Sequence, residues 1–67
     1  MITIQLNGQP MEIPEGLTLA GLLEELKFPA DRVAVERNLE IVRRDCWREI
    51  FVESGDCLEV VHFVGGG

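Results

Sequence analysis

The groups able to do chemistry in this 67-residue chain are few, and the one with a clear use stands at its end, Gly65-Gly66-Gly67. Glycine has no Cβ, so such a segment can thread a channel too narrow for any other residue. With Gly67 as the last residue, the tail presents an α-carboxylate whose ordinary pKa is about 3.5, ionised at neutral pH. A carboxylate is a poor electrophile and must first be activated, most simply by attacking the α-phosphate of ATP to form an acyl-adenylate. The chain has no G-x-x-x-x-G-K-[ST] loop to cradle phosphates, so the ATP site is expected on another protein. The tail is then a substrate. A frayed end is the plainer reading of three glycines. Against it, they follow an apolar strand pattern without a spacer and are the sole low-complexity residues.

The remaining reactive side chains form no catalytic pattern. His62 is the single histidine, and no Ser or Cys is arranged with it as a nucleophile–base pair. Cys46, Cys57 and His62 are spaced eleven and five residues apart, with no chelating C-x₂-C pair, so no metal site is expected. Two cysteines are too few for a disulfide framework, and both are read as free thiols. No catalytic residue and no bound cofactor are expected.

Composition narrows the classes further. Hydrophobic residues make up 46% of the chain, which suits a folded domain. A domain of this size buries only roughly 60% of the surface its unfolded chain exposes, leaving little interior for a water-excluded cavity. Twelve acidic residues against six basic ones give a net charge of −6. Such a surface repels nucleic acid and suits a protein partner that displays Lys and Arg, although solubility alone accounts for it equally well. No apolar run approaches the ~18 residues of a membrane span. The N-terminal residues lack the basic region of a signal peptide, which points to the cytoplasm.

The elements that must hold the tail can be read from periodicity. Ile2, Ile4 and Leu6 alternate with Thr3, Gln5 and Asn7 as in a half-buried strand. Asn7-Gly8 is a hairpin signal, and the return strand is predicted over Gln9 to Ile13, with Met11 and Ile13 inward. Pro10 marks that strand as an edge. Thr18 is a predicted helix N-cap with Leu17 and Leu22 spaced as a hydrophobic staple. Leu19, Leu22, Leu23 and Leu26 form one apolar stripe, and Pro29 is expected to stop the helix near Lys27 or Phe28. Strands are predicted at Val33 to Arg37 and Glu40 to Val42. An irregular charged stretch from Arg43 to Glu49 follows, anchored by Trp47 and Ile50. Ser54-Gly55-Asp56 is a turn, and Leu58 to Val64 is the last strand. The order is β-β-α-β-β-β, an α+β domain over residues 1–64 with a flexible glycine tail at 65–67.

One helix covers one face of such a sheet. In the last strand Val61 and Phe63 occupy the face that Glu59 should keep polar. Either they form a surface for a partner, together with Val64, or loop residues such as Phe51 or Trp47 fold over them.

Taken in order, these segments resemble the ThiS family, the sulfur carriers of thiamine biosynthesis within the ubiquitin-like β-grasp superfamily. The resemblance is carried by Asn7-Gly8, Leu17-Thr18-Leu19, Val33-Ala34-Val35, Asn38 to Val42 with Arg44 and Trp47, Gly55-Asp56, and the ending Val60 to Gly67. It implies a mixed sheet of four to five strands packed on one helix. It also implies a cycle in which a ThiF-like adenylyltransferase activates Gly67 with MgATP. A cysteine-derived persulfide donor then supplies sulfur to form a thiocarboxylate, and a ThiG-like thiazole synthase accepts it. Gly66 and Gly67 correspond to the family's terminal pair, and Gly65 extends it. Two positions depart from the family pattern: Leu39 stands where relatives often have Gly, and Arg43 where they often have Pro. Leu39 should resist the tight turn, since positive φ disfavours it. Carriers serving molybdopterin or cysteine synthesis are the nearest alternative. A ubiquitin-like binding module without covalent chemistry is the alternative from another class.

Overall fold

The computed structural model describes residues 1–63. Asn7 and Gly8 take φ of 52° and 81°, the left-handed pair that lets a two-residue turn match the twist of its strands. They join β1 (Ile2–Leu6) to β2 (Gln9–Ile13) in an antiparallel hairpin. Pro10 has no N–H to donate, and β2 is accordingly an outer strand of the sheet.

The chain then enters α1 (Leu19–Glu25) through Thr18, whose side-chain oxygen accepts from the Gly21 N–H at 3.1 Å. The first two helical amides, which have no partner inside a helix, are satisfied from outside it. Leu19 N–H donates to the Ile50 carbonyl at 2.9 Å and Ala20 N–H to the Trp47 carbonyl at 3.0 Å. The stretch from Arg43 to Glu49, expected to be irregular, is therefore held against the helix through Trp47, with Ile50 just beyond it. Arg44–Cys46 forms a 3₁₀ turn, Trp47 is buried, and its indole N–H donates to the Val42 carbonyl at 3.0 Å.

The helix ends at Glu25, earlier than Pro29 would require. Lys27 adopts φ 63°, and the Lys27 and Phe28 amides turn back to the carbonyls of Glu24 and Leu23 at 3.1 and 2.9 Å. This paired closure is the Schellman arrangement, formed here by a lysine where glycine is usual.

A second hairpin joins β3 (Val33–Arg37) to β4 (Glu40–Val42). Its turn residues Asn38 and Leu39 have φ of 52° and 73°, so Leu39 sits in the conformation that its side chain opposes. The last strand, β5 (Cys57–His62), begins one residue before the expected Leu58. It ends at His62, short of the expected Val64, with Phe63 already outside the strand. Strand order is β2-β1-β5-β3-β4, with β5 parallel to β1 and antiparallel to β3.

All the predicted strands are present, and α1 packs on one face of the sheet they form. The core joins Ile4, Leu6 and Ile13 to Leu19, Leu22 and Leu23 of the helix and to Val33, Val35, Leu58 and Val60 of the central strands, with Trp47 and Val52 closing one side. Met11 is half-buried against it.

Candidate functional site

The strand that leads to the glycines is the middle strand of the sheet, held from both sides. Along β1, Gln5 N–H donates to the Asp56 carbonyl and Asn7 N–H to the Leu58 carbonyl, both at 2.9 Å. The hairpin turns away there, and the Asn7 side chain continues the ladder. Its Oδ1 accepts from Val60 N–H at 2.8 Å and its Nδ2 donates to the Val60 carbonyl at 3.3 Å. The turn asparagine of the other hairpin acts likewise: Asn38 Oδ1 accepts from Cys57 N–H at 2.9 Å, and Asn38 Nδ2 donates to Asp56 Oδ1 at 3.2 Å. Each turn asparagine thus shapes its own hairpin and clamps β5. The sequence reading assigned Asn7 the first role and missed the second, because its partner lies 53 positions away.

Asp56 anchors the start of β5 and is 6% exposed. Its Oδ2 accepts from the Glu53 N–H and from Arg37 Nε, each at 2.9 Å. Burial pushes this carboxyl up, while the Glu53 amide, the Arg37 and Asn38 side chains and the Arg37 charge pull it down. The balance leaves it below the ordinary carboxylate range. The group is ionised and fully partnered, as a buried charge must be.

The uncovered face of β5 carries Cys57, Glu59 and Val61, followed by Phe63. Phe63 N–H still donates to the Arg32 carbonyl at 3.0 Å, so pairing persists to the edge of the described residues. Val61 is 56% and Phe63 45% exposed. Neither residue that might have covered them does so. Trp47 lies in the core on the helix side, and Phe51 is itself exposed, bridging Thr18. The two apolar residues form an open surface beside the route to the tail. Val64, Gly65, Gly66 and Gly67, on which the carrier reading also rests, lie outside the described residues.

Other candidate groups do not converge. Cys46 and Cys57 are free thiols. Among the described residues, no three His, Cys, Asp or Glu side chains come together as a metal site. His62 packs its ring against Phe28, with centroids 5.7 Å apart. A recess between α1 and the 3₁₀ turn is floored by Leu23, Phe28 and Trp47, with the Arg44 guanidinium 5.8 Å over the indole. Its lining includes no Ser, Thr, Cys, His or Lys side chain.

A five-stranded mixed sheet holding one helix, with a parallel central pair and its last strand in the middle, defines a ubiquitin-like β-grasp domain. The comparisons narrow this. The ThiS family model matches residues 4–67. A crystal structure of the thiamine biosynthesis protein ThiS from Geobacter metallireducens superposes with a TM-score of 0.87 at 35% identity, covering 98% of this chain and 100% of that one. The sulfur carrier protein ThiS of Bacillus subtilis is 37% identical over 65 residues, 96% of this chain and 98% of its own length. A thiazole synthase from Magnetococcus marinus is 47% identical over 64 residues. That match spans 96% of this chain but only 20% of the synthase. The chain belongs to the ThiS family. Among the described residues, no helix is long and apolar enough to cross a membrane.

Proposed function

We propose that this chain is a sulfur carrier that works as a substrate rather than an enzyme, holding sulfur as a thiocarboxylate on Gly67 for thiazole formation in thiamine biosynthesis. The observation that carries the reading is the placement of β5. A central, doubly clamped strand runs past an exposed apolar surface at Val61 and Phe63, and its sequence continues directly into Val64-Gly65-Gly66-Gly67. A rigid body with a side-chain-free end is what another protein's active site needs in order to receive a carboxylate.

In the first step a carboxylate oxygen of Gly67 bonds to the α-phosphorus of ATP, and magnesium pyrophosphate leaves. The terminal sulfur of a persulfide donor then attacks the acyl carbon, displacing AMP and forming an acyl disulfide. A thiol cleaves the S–S bond, taking the donor's sulfur into a new disulfide and releasing the thiocarboxylate. A ThiF-like adenylyltransferase supplies the ATP site, and the cycle runs in the cytoplasm. A ThiG-like thiazole synthase is the acceptor. The thiazole synthase relative that contains a stretch 47% identical to this chain favours that destination over molybdopterin or cysteine synthesis.

The test is intact mass after incubation with a ThiF-type adenylyltransferase, MgATP and a persulfide source. The expected gain equals the exchange of one oxygen for one sulfur, placed on Gly67 by fragmentation. A variant with one residue appended after Gly67 should fold normally and gain nothing. An unmodified chain under conditions that convert a verified ThiS protein overturns the reading in favour of a binding module.

A further inference from the structure

The open face of the sheet carries an uncompensated charge pair that the fold does not need. In the β3–β5 ladder Glu36 lies directly opposite Glu59. Alternation places both on the face away from α1, because Val35, Leu58 and Val60 beside them are buried in the core. Side chains directly opposed in an antiparallel pair are about 5 Å apart at Cβ, and like charges there destabilise the sheet. Among the described residues, the ion pairs are those of Arg37 with Glu53 and Asp56 and of Arg43 with Asp45; neither Glu36 nor Glu59 takes part in one. The contrast with Asp56, which is held by an amide, a guanidinium and an amide side chain, is complete. The next row of the same ladder pairs Ala34 with the exposed Val61, and Phe63 follows. Read toward the tail, the open face presents an acidic row and then an apolar one.

Resting on the carrier reading above, we infer that Glu36 and Glu59 form an electrostatic docking element for the adenylating enzyme, meeting Arg or Lys side chains at the rim of its active site while Val61 and Phe63 meet an apolar patch. Two physical arguments select this occupant. Four extended residues, Val64 to Gly67, span at most about 14 Å, so an enzyme that reacts with Gly67 must rest against the end of β5 and the face beside it. An enzyme that holds a nucleoside triphosphate must also surround the polyphosphate with positive charge, and a carrier of net charge −6 approaches that field favourably. The acidic pair sets orientation and encounter rate, and the apolar row supplies the buried contact.

The experiment uses full-length protein carrying Glu36→Gln, Glu59→Gln or both, with a ThiF-type adenylyltransferase from the same organism. Association rate is measured by stopped flow from low to high salt, alongside thermal melting of each variant. The double variant is expected to associate about tenfold more slowly at low salt, with the difference vanishing at high salt. Its melting temperature should be unchanged or higher, since a repulsion has been removed. Equal rates at every salt concentration overturn the inference, as does a melting temperature that falls. An effect confined to binding of a thiazole synthase, measured in parallel, assigns the element to a different occupant and also overturns it. The wild-type mass gain is recorded in the same series. If wild type acquires sulfur while the charge variants behave identically, the docking inference alone fails; if wild type acquires none, the carrier reading fails first.

Discussion

The two faces of the sheet obey opposite rules. On the face beneath α1, Val35, Leu58 and Val60 are buried with Leu22 and Leu23. At its margin Asp56, the one buried charge among the described residues, has every partner it needs. On the other face two carboxylates oppose each other across β3 and β5, and Val61 and Phe63 remain open to solvent. Folding accounts for the first face and does not account for the second. A chain of this size has little stability to spare, so repulsion and exposed apolar surface on the strand that leads to the tail signal a use outside the monomer.

The comparison breaks most readily through paired substitutions on the two faces. Leu22→Ala, on the covered side, should cost about 3 kcal/mol by leaving a cavity. Val61→Asp, on the open side, should change stability by less than about 0.5 kcal/mol while slowing thiocarboxylate formation. Chemical denaturation together with the mass assay checks both, and equal destabilisation by the two would erase the distinction between the faces.

A smaller effect is expected at Asp56. Asp56→Ala should cost about 2 kcal/mol, because the Glu53 amide and the Arg37 guanidinium lose their acceptor. Its folded-state pKa is depressed, so the stability it contributes is present above the unfolded value near 4 and is lost as pH falls through the folded one. Denaturation followed from pH 7 down to pH 3 should show wild type weakening below about pH 5. Asp56→Asn, which has no charge to lose, should show a shallower decline. Parallel curves for the two proteins would remove Asp56 as the anchor of β5.

The smallest effect is a gain. Leu39 is 92% exposed with φ 73°, so Leu39→Gly removes strain without removing packing. Glycine's greater freedom in the unfolded chain offsets part of the benefit, leaving about 0.5–1 kcal/mol. That corresponds to a rise of about 2–8 °C in melting temperature for a domain of this size. A fall would show that Leu39 makes a contact that its exposure conceals.

Much of this architecture is legible in local chemistry. Alternating Ile2, Ile4 and Leu6, the Asn7-Gly8 turn, the Thr18 cap and the leucine stripe each depend on neighbours a few residues away, and each element formed where its pattern stands. Pro10 marked the edge strand for the same reason: a missing N–H is a property of the residue itself. The helix end was misplaced because Pro29 is a conspicuous signal, whereas a lysine in the left-handed conformation carries none. For the candidate site, the run from Val61 to Gly67 is visible as composition, and its membership in the ThiS family follows from the order of segments along the chain.

What tertiary structure alone decided is which distant groups meet. Whether Val61 and Phe63 were covered depended on where Trp47 and Phe51 went, and the answer came from the 3₁₀ turn docking on the start of α1. The clamp of Asn7 on Val60, the Asp56 network with Arg37 and Asn38, and the opposition of Glu36 to Glu59 all join residues separated by 18 positions or more. Periodicity records which way a side chain points within its own element. Pairing register, set only when the sheet closes around β5, records what it points at.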